Sequence, residues 1–172
     1  RMIVTKITVN EYVPFSEPYF HFIEEHSEKI SSNVLSSFNA LSDPALLKER
    51  LEYVKEHVHK YKKGNPSGIV FFEDAHYHST QVRNTCLETI YSECDIVSLN
   101  EEELAYTLKS FGFDVGIEDI ISCVEGAIFI RNKFGVKKGI VVHTANYAMY
   151  VGDKLEADIE KGLICGNLLA TG

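Results

Sequence analysis

An α/β domain, doubly wound around a mostly parallel sheet with helices on both faces, is what this sequence predicts. Two observations carry the prediction. Short β-branched runs alternate with amphipathic stretches long enough to cross between parallel strands. No internal repeat and no low-complexity linker interrupts that alternation, so the 172 residues read as a single domain, 1–172, with enough chain to bury a core.

The elements follow in order. Residues 2–9 read as a strand, β-branched and bounded by polar residues. Residues 17–30 have helical apolar spacing through Phe20, Phe22, Ile23 and Ile30. Residues 33–38 read as a short buried strand. Ser42-Asp43-Pro44 opens a helix, with Ser or Asp as cap and Pro in the first turn. That helix runs to about residue 63, with Leu46, Leu47, Leu51, Val54, Val58 and Tyr61 on its inner face, and Gly64-Asn65-Pro66 stops it. Residues 69–72 are apolar throughout, as in a strand buried on both faces. A helix over 79–93 turns Val82, Cys86, Leu87, Ile90 and Tyr91 inward, and 95–99 is the next strand. Helices follow over 101–111, ended by Gly112, and over 117–134, closed by Gly135. Residues 139–143 form a strand, 147–151 alternate and can pair with it as a hairpin, and 156–170 form the last helix.

Composition excludes several classes of function. The chain is 45% hydrophobic and 24% charged, with a formal net charge of −8. An acidic chain without a basic stripe does not suit nucleic acid or an anionic membrane surface. No apolar run reaches transmembrane length, and no signal peptide is visible. Cys86, Cys94, Cys123 and Cys165 form no C-x-x-C pair and each falls in an apolar, helix-like stretch. They are expected to be buried, reduced thiols of a cytoplasmic protein. Strand-like sequence begins directly after Arg1, as expected of a chain that starts inside a gene or has lost an earlier segment.

Parallel α/β sheets bind ligands outside the carboxyl ends of their strands, so residues just after each strand are the first candidates. Phe72-Glu73-Asp74 places two adjacent carboxylates at such an end, where they suit a hard cation such as magnesium. The alternative is Asp74 as a helix cap and Glu73 in solvent. Asn100 stands at the next strand-to-helix junction with Glu103 three residues on, so both can project from the first helical turn. The alternative there is a capping box, with Glu103 reaching back to the Asn100 amide. Glu101 and Glu102 are expected to face solvent. His143-Thr144 ends a further strand and could touch a nucleotide or phosphate, or could be a turn. His76-Tyr77-His78 invites a zinc reading, but no third strong ligand is near in sequence, and surface histidines are the simpler expectation. The sequence holds no Walker A motif, no G-x-G-x-x-G and no G-x-S-x-G.

Taken together these junctions resemble the ADP-dependent glucokinase and phosphofructokinase family of the ribokinase superfamily. Arg1-Met2-Ile3 is similar to the family's Arg-Phe-Ile stretch. Val34-Leu35-Ser36-Ser37-Phe38-Asn39-Ala40-Leu41 is similar to its leucine-serine-glycine strand end, with Ser37 for the glycine. Phe71-Phe72-Glu73 stands where the family has His-x-Glu. Ser98-Leu99-Asn100-Glu101-Glu102-Glu103-Leu104 is similar to its S-x-G-L-N-E-x-E-L element. Residues 139–147, with His143, Thr144 and Tyr147, are similar to its His-Thr strand followed by tyrosine.

The resemblance implies an incomplete ribokinase-like core and a parent enzyme that moves the β-phosphate of ADP to a sugar hydroxyl, giving AMP. It implies Mg2+ held mostly through water near Glu73, Asn100 and Glu103. It implies Arg1 on a phosphate, and His143 and Thr144 on the nucleotide side. The partners it implies are a nucleotide and a sugar or sugar phosphate. Phe71 departs from the motif histidine and Ser37 from the glycine. The family's Gly-x-Gly-Asp, whose Asp is the base, is absent from these residues, as is its amino-terminal lid. No catalytic residue is therefore expected within the chain, which would be inactive alone as the central part of a kinase domain. A non-catalytic nucleotide-binding or scaffolding relative is the second expectation.

Overall fold

A computed structural model describes residues 16–171. The strand expected at 2–9, and Arg1 with it, lie outside the described residues.

Six helices and five strands follow the predicted order among the described residues. α1 (Glu17–Glu25) is shorter than the predicted 17–30, because His26 leaves helical geometry at φ −115° and a 3-10 turn, Ser27–Lys29, follows. β1 (Ser32–Leu35) also stops early. Ser37 turns the chain at φ 76°, in left-handed backbone, and Phe38–Ala40 forms a 3-10 turn in place of the predicted strand end. Ser37 is the one non-glycine residue with positive φ among those described. A side chain there costs about 1–2 kcal/mol, against the chain entropy that glycine loses on folding. Ser37→Gly is therefore expected to stabilise the fold by up to about 1 kcal/mol, read as a higher urea midpoint with an unchanged slope.

α2 (Pro44–Gly64) begins where expected: the Asp43 carboxylate accepts from the amides of Ala45 and Leu46, at 2.8 and 3.3 Å. Leu47, Leu51, Val54, Val58 and Tyr61 are buried, while Leu46 is only partly so. His57 goes inward as well. Asn33 Nδ2 donates to its Nε2 at 2.8 Å, and its Nδ1 donates to Glu24 Oε1 at 2.9 Å. Burial lowers its pKa and the Glu24 bond only partly offsets that, so a neutral ring joins β1, α1 and α2.

Next come β2 (Ile69–Glu73), α3 (Thr80–Ile90), β3 (Ile96–Asn100) and α4 (Glu101–Lys109). α5 (Ile120–Phe134) starts three residues later than predicted, because Asp119 takes the amides of Ile121 and Ser122 as its cap. Gly135 closes it at φ 70°. β4 (Gly139–His143) keeps its predicted bounds, β5 (Ala148–Gly152) is one residue out of register with the prediction, and α6 is Ile159–Thr171.

The sheet order is β1-β2-β3-β4-β5, parallel except for the β4–β5 hairpin. Strands adjacent in sequence are adjacent in space. Right-handed crossovers then carry α2, α3 and the α4–α5 pair onto one face. The strand residues pointing that way, Val70, Phe72, Val97, Leu99, Ile140 and Val142, are essentially inaccessible and share one core with those helices. Each such side chain contributes about 1.5–3 kcal/mol on leaving water. The other face carries Phe71, Ile96 and Val141, partly under α6, so helices lie on both faces. On that side the Tyr150 ring covers Gly139 so closely that a Cβ would sit 2.6 Å from it, which explains a glycine opening β4.

One expectation about the thiols needs correction. Cys86, Cys94 and Cys123 are buried and free, but Cys165 is exposed, because it does not share the side of α6 that carries Ile159, Leu163 and Gly166 toward the sheet. No described helix is long and apolar enough to cross a membrane.

Candidate functional site at the strand ends

Glu73, Asn100 and His143 are the last residues of β2, β3 and β4. Parallel register sets Glu73 opposite Ser98 and Asn100 opposite His143. Alternation along each strand turns all three side chains toward the α6 face. His143 Nε2 donates to Glu73 Oε1 at 3.1 Å, reaching across β3. Both side chains remain about 40% exposed, so the bond sits at an open rim.

Glu103 arrives from the first turn of α4. Asn100 Oδ1 accepts from the Glu103 amide at 2.8 Å, and Glu103 Oε2 accepts from the Asn100 amide at 2.9 Å. The capping box is thus formed, and it leaves Glu103 Oε1 and Asn100 Nδ2 outside it. Glu103 is buried and its pKa is raised, first by burial, with the charges of Asp74 and Glu73 adding to the effect. The Asn100 amide and the Arg83 charge act the other way. Of its two neighbours, Glu102 is exposed and Glu101 half-buried.

Thr144 follows His143, but its hydroxyl is occupied in closing the hairpin. It accepts from the amides of Asn146 and Tyr147, both at 3.0 Å, and donates to the Tyr147 carbonyl at 3.1 Å. Loop residues His76 and His78 are exposed, with ring centroids 5.7 Å apart.

Sequence reasoning missed what lies beneath this rim. Asp74 does not cap α3; Ser79 does, through the Val82 amide. Asp74 is buried instead, with the Tyr91 hydroxyl donating to its Oδ2 at 2.8 Å and Arg83 Nη2 3.6 Å from the same oxygen. Burial pushes the Asp74 carboxyl upward, and Arg83 and Tyr91 offset part of that. Asp74 Oδ1 and Arg83 Nε have no hydrogen-bond partner. Arg83 could have been found by periodicity: it shares the inner face of α3 with Cys86, Leu87 and Ile90. A cation on a buried stripe requires a buried counter-charge.

A cavity of about 650 Å³ opens beside the rim, between the sheet and α6. Phe71, Val141 and Tyr150 form its sheet side, Leu163 and Gly166 its helix side, and His143 one edge.

Among the described residues no three His, Cys, Asp or Glu side chains gather closely enough to hold a metal by themselves. The donors at the rim are nevertheless hard oxygens: two carboxylates and an amide. Mg2+ keeps several waters and takes only one or two carboxylates alongside phosphate oxygens, so the residues present fit it through water.

Comparisons with known proteins bear on the family and the fold. Residues 1–171 match the sequence profile of the ADP-specific phosphofructokinase/glucokinase conserved region. No curated protein sequence matches. Among solved structures, a hypothetical ADP-dependent phosphofructokinase from Pyrococcus horikoshii OT3 superposes with a TM-score of 0.73 at 19% identity, over 88% of this chain and 35% of its own. An ADP-dependent kinase in complex with fructose-6-phosphate and ADPbetaS gives 0.70 at 20%, over 83% and 33%. A phosphofructokinase from Pyrococcus horikoshii OT3 with AMP gives 0.69 at 20%, over 85% and 34%. The chain thus spans about a third of the length of these solved proteins, whose likeness is one of fold. The match over nearly all of its residues settles the lineage: the chain belongs to the ADP-specific phosphofructokinase/glucokinase family.

Proposed function

We propose that the protein is an ADP-dependent sugar or sugar-phosphate kinase, moving the β-phosphoryl group of ADP to a sugar hydroxyl with release of AMP. The observation that carries this is the contiguous rim of Glu73, Asn100, Glu103 and His143 at three adjacent strand ends, beside an apolar cavity. Two solved neighbours hold the matching ligands: one has fructose-6-phosphate with ADPbetaS, the other AMP.

In this reading Glu73, Asn100 and Glu103 would hold Mg2+, largely through water, and the ion would supply neutralising charge to the diphosphate. Magnesium would supply Lewis acidity; the chain's own task is to hold oxygen donors still at the rim. His143 fixes one rotamer of Glu73. Thr144 shapes the turn at the nucleotide side rather than offering a free hydroxyl. Arg1 contributes a phosphate contact. The acceptor's base and the anion cradle come from a Gly-x-Gly-Asp segment that the 172 residues do not contain, so these residues alone do not turn over. The three buried free thiols, Cys86, Cys94 and Cys123, suit a cytoplasmic setting.

The test is AMP release from ADP and Mg2+ by the full-length protein, with glucose and fructose 6-phosphate offered separately. AMP formed with either sugar, and absent without one, is the expected result. Tight ADP binding with no AMP formed would favour the second reading, a non-catalytic nucleotide-binding relative. Phe71 at the motif histidine and Ser37 in left-handed backbone favour that reading.

A further inference from the structure

We propose that Arg83 is a positioning residue for the cation side of this site, tying the end of β2 to the first turn of α4. The inference rests on the cation site just proposed, and it concerns a residue that does not reach the rim.

Arg83 is 2% exposed. Its Nη2 donates to the Glu103 carbonyl at 3.0 Å and also to the Thr107 hydroxyl. Thr107 in turn donates to the Glu103 carbonyl at 2.7 Å. Two donors thus converge on one main-chain oxygen in the first turn of α4, in the peptide that follows the Glu103 side chain. The same Nη2 lies 3.6 Å from Asp74 Oδ2, and the Asp74 amide donates to the Ser98 carbonyl at 2.8 Å and extends the β2–β3 ladder. Asp74 directly follows Glu73. The Tyr77 and Tyr106 rings flank the guanidinium, with centroids 5.6 and 5.1 Å from Cζ, and limit where it can swing.

Glu73 and Glu103 belong to different elements and are anchored to different residues: Glu73 bonds to His143, while Glu103 bonds to Asn100. Arg83 links the carboxylate of Asp74, next to Glu73, to the main-chain carbonyl of Glu103. All three contacts run through Nη2 of a rigid, planar guanidinium; a lysine ammonium on its flexible stem is not held at that point. The consequence is a fixed spacing between two carboxylates that must share one hydrated cation.

Two variants loosen the bridge without changing net charge: Arg83→Lys, and Thr107→Val. Mn2+, standing in for Mg2+, is titrated into the full chain with ADP present and counted by electron paramagnetic resonance. Both variants are expected to weaken Mn2+ binding by about tenfold or more, the scale on which residues behind metal ligands act. On a Glu103→Gln background neither should weaken it further, because the carboxylate being positioned is gone. Unchanged Mn2+ affinity in both folded variants, or full additivity with Glu103→Gln, overturns the positioning role. A wild-type protein that binds no Mn2+ with ADP overturns the cation site itself, and the positioning role with it. Thermal unfolding of each variant reports stability separately, and a lowered midpoint with intact affinity counts against the proposal.

Discussion

Arg83→Met destabilises the protein by about 3–5 kcal/mol at neutral pH, the expected loss when one partner of a buried ion pair is removed. Asp74 then faces Tyr91 without a nearby cation, and the Glu103 carbonyl loses one of its two side-chain donors. Adding Asp74→Asn should recover much of that loss, since the stranded charge disappears with it. A double-mutant cycle from urea unfolding measures the coupling. The pH dependence carries the same signature. Folding raises the Asp74 pKa above its unfolded value of 3.8, so the protonated form is favoured in the native state. Stability from this group is fully present below 3.8 and is lost as pH rises through the folded value. Removing Arg83 deepens that loss. The penalty of Arg83→Met is therefore expected to be smaller at pH near 4 than at pH 7, and the double variant should lack the difference. An equal penalty at both pH values would refute the ion-pair account.

Glu103→Gln separates the helix cap from the cation site. Gln serves in a capping box, so the first turn of α4 should survive. Folding raises the Glu103 pKa above 4.5, so the ionised form costs stability as pH rises through the folded value. A neutral amide avoids that cost, and the variant is expected to be at least as stable as wild type at pH 7. Its Mg2+-dependent turnover in the full-length protein should nevertheless fall about 10- to 100-fold. Unchanged turnover would reduce Asn100 and Glu103 to a structural cap. Together with the Arg83 series this distinguishes a carboxylate that holds a cation from one that only starts a helix.

Much of the architecture was legible from local signals. Asp43-Pro44 announced the start of α2, Gly135 the end of α5, and the apolar run from Ile69 the buried strand β2. Boundaries failed where an unusual backbone angle or a cap decided them: Ser37 ended the extended chain, and Asp119 moved the start of α5. The candidate site was legible as a set of strand-end residues. Its wiring was not. Sequence spacing gave no sign that His143 would bond Glu73 from a strand two places away, or that Thr144 would spend its hydroxyl inside a turn.

Composition and periodicity by themselves determined a layered α/β chain, the order of its strands and helices, and which junctions could bear chemistry. Those properties depend on near neighbours: side-chain alternation, helix caps, and residues that break an element. Tertiary structure alone decided that Asp74 would turn inward to Arg83 and Tyr91 while Glu73 stayed at the rim. Adjacent strand residues point to opposite faces, and which face is buried depends on where the helices pack, which is a property of contacts distant along the chain.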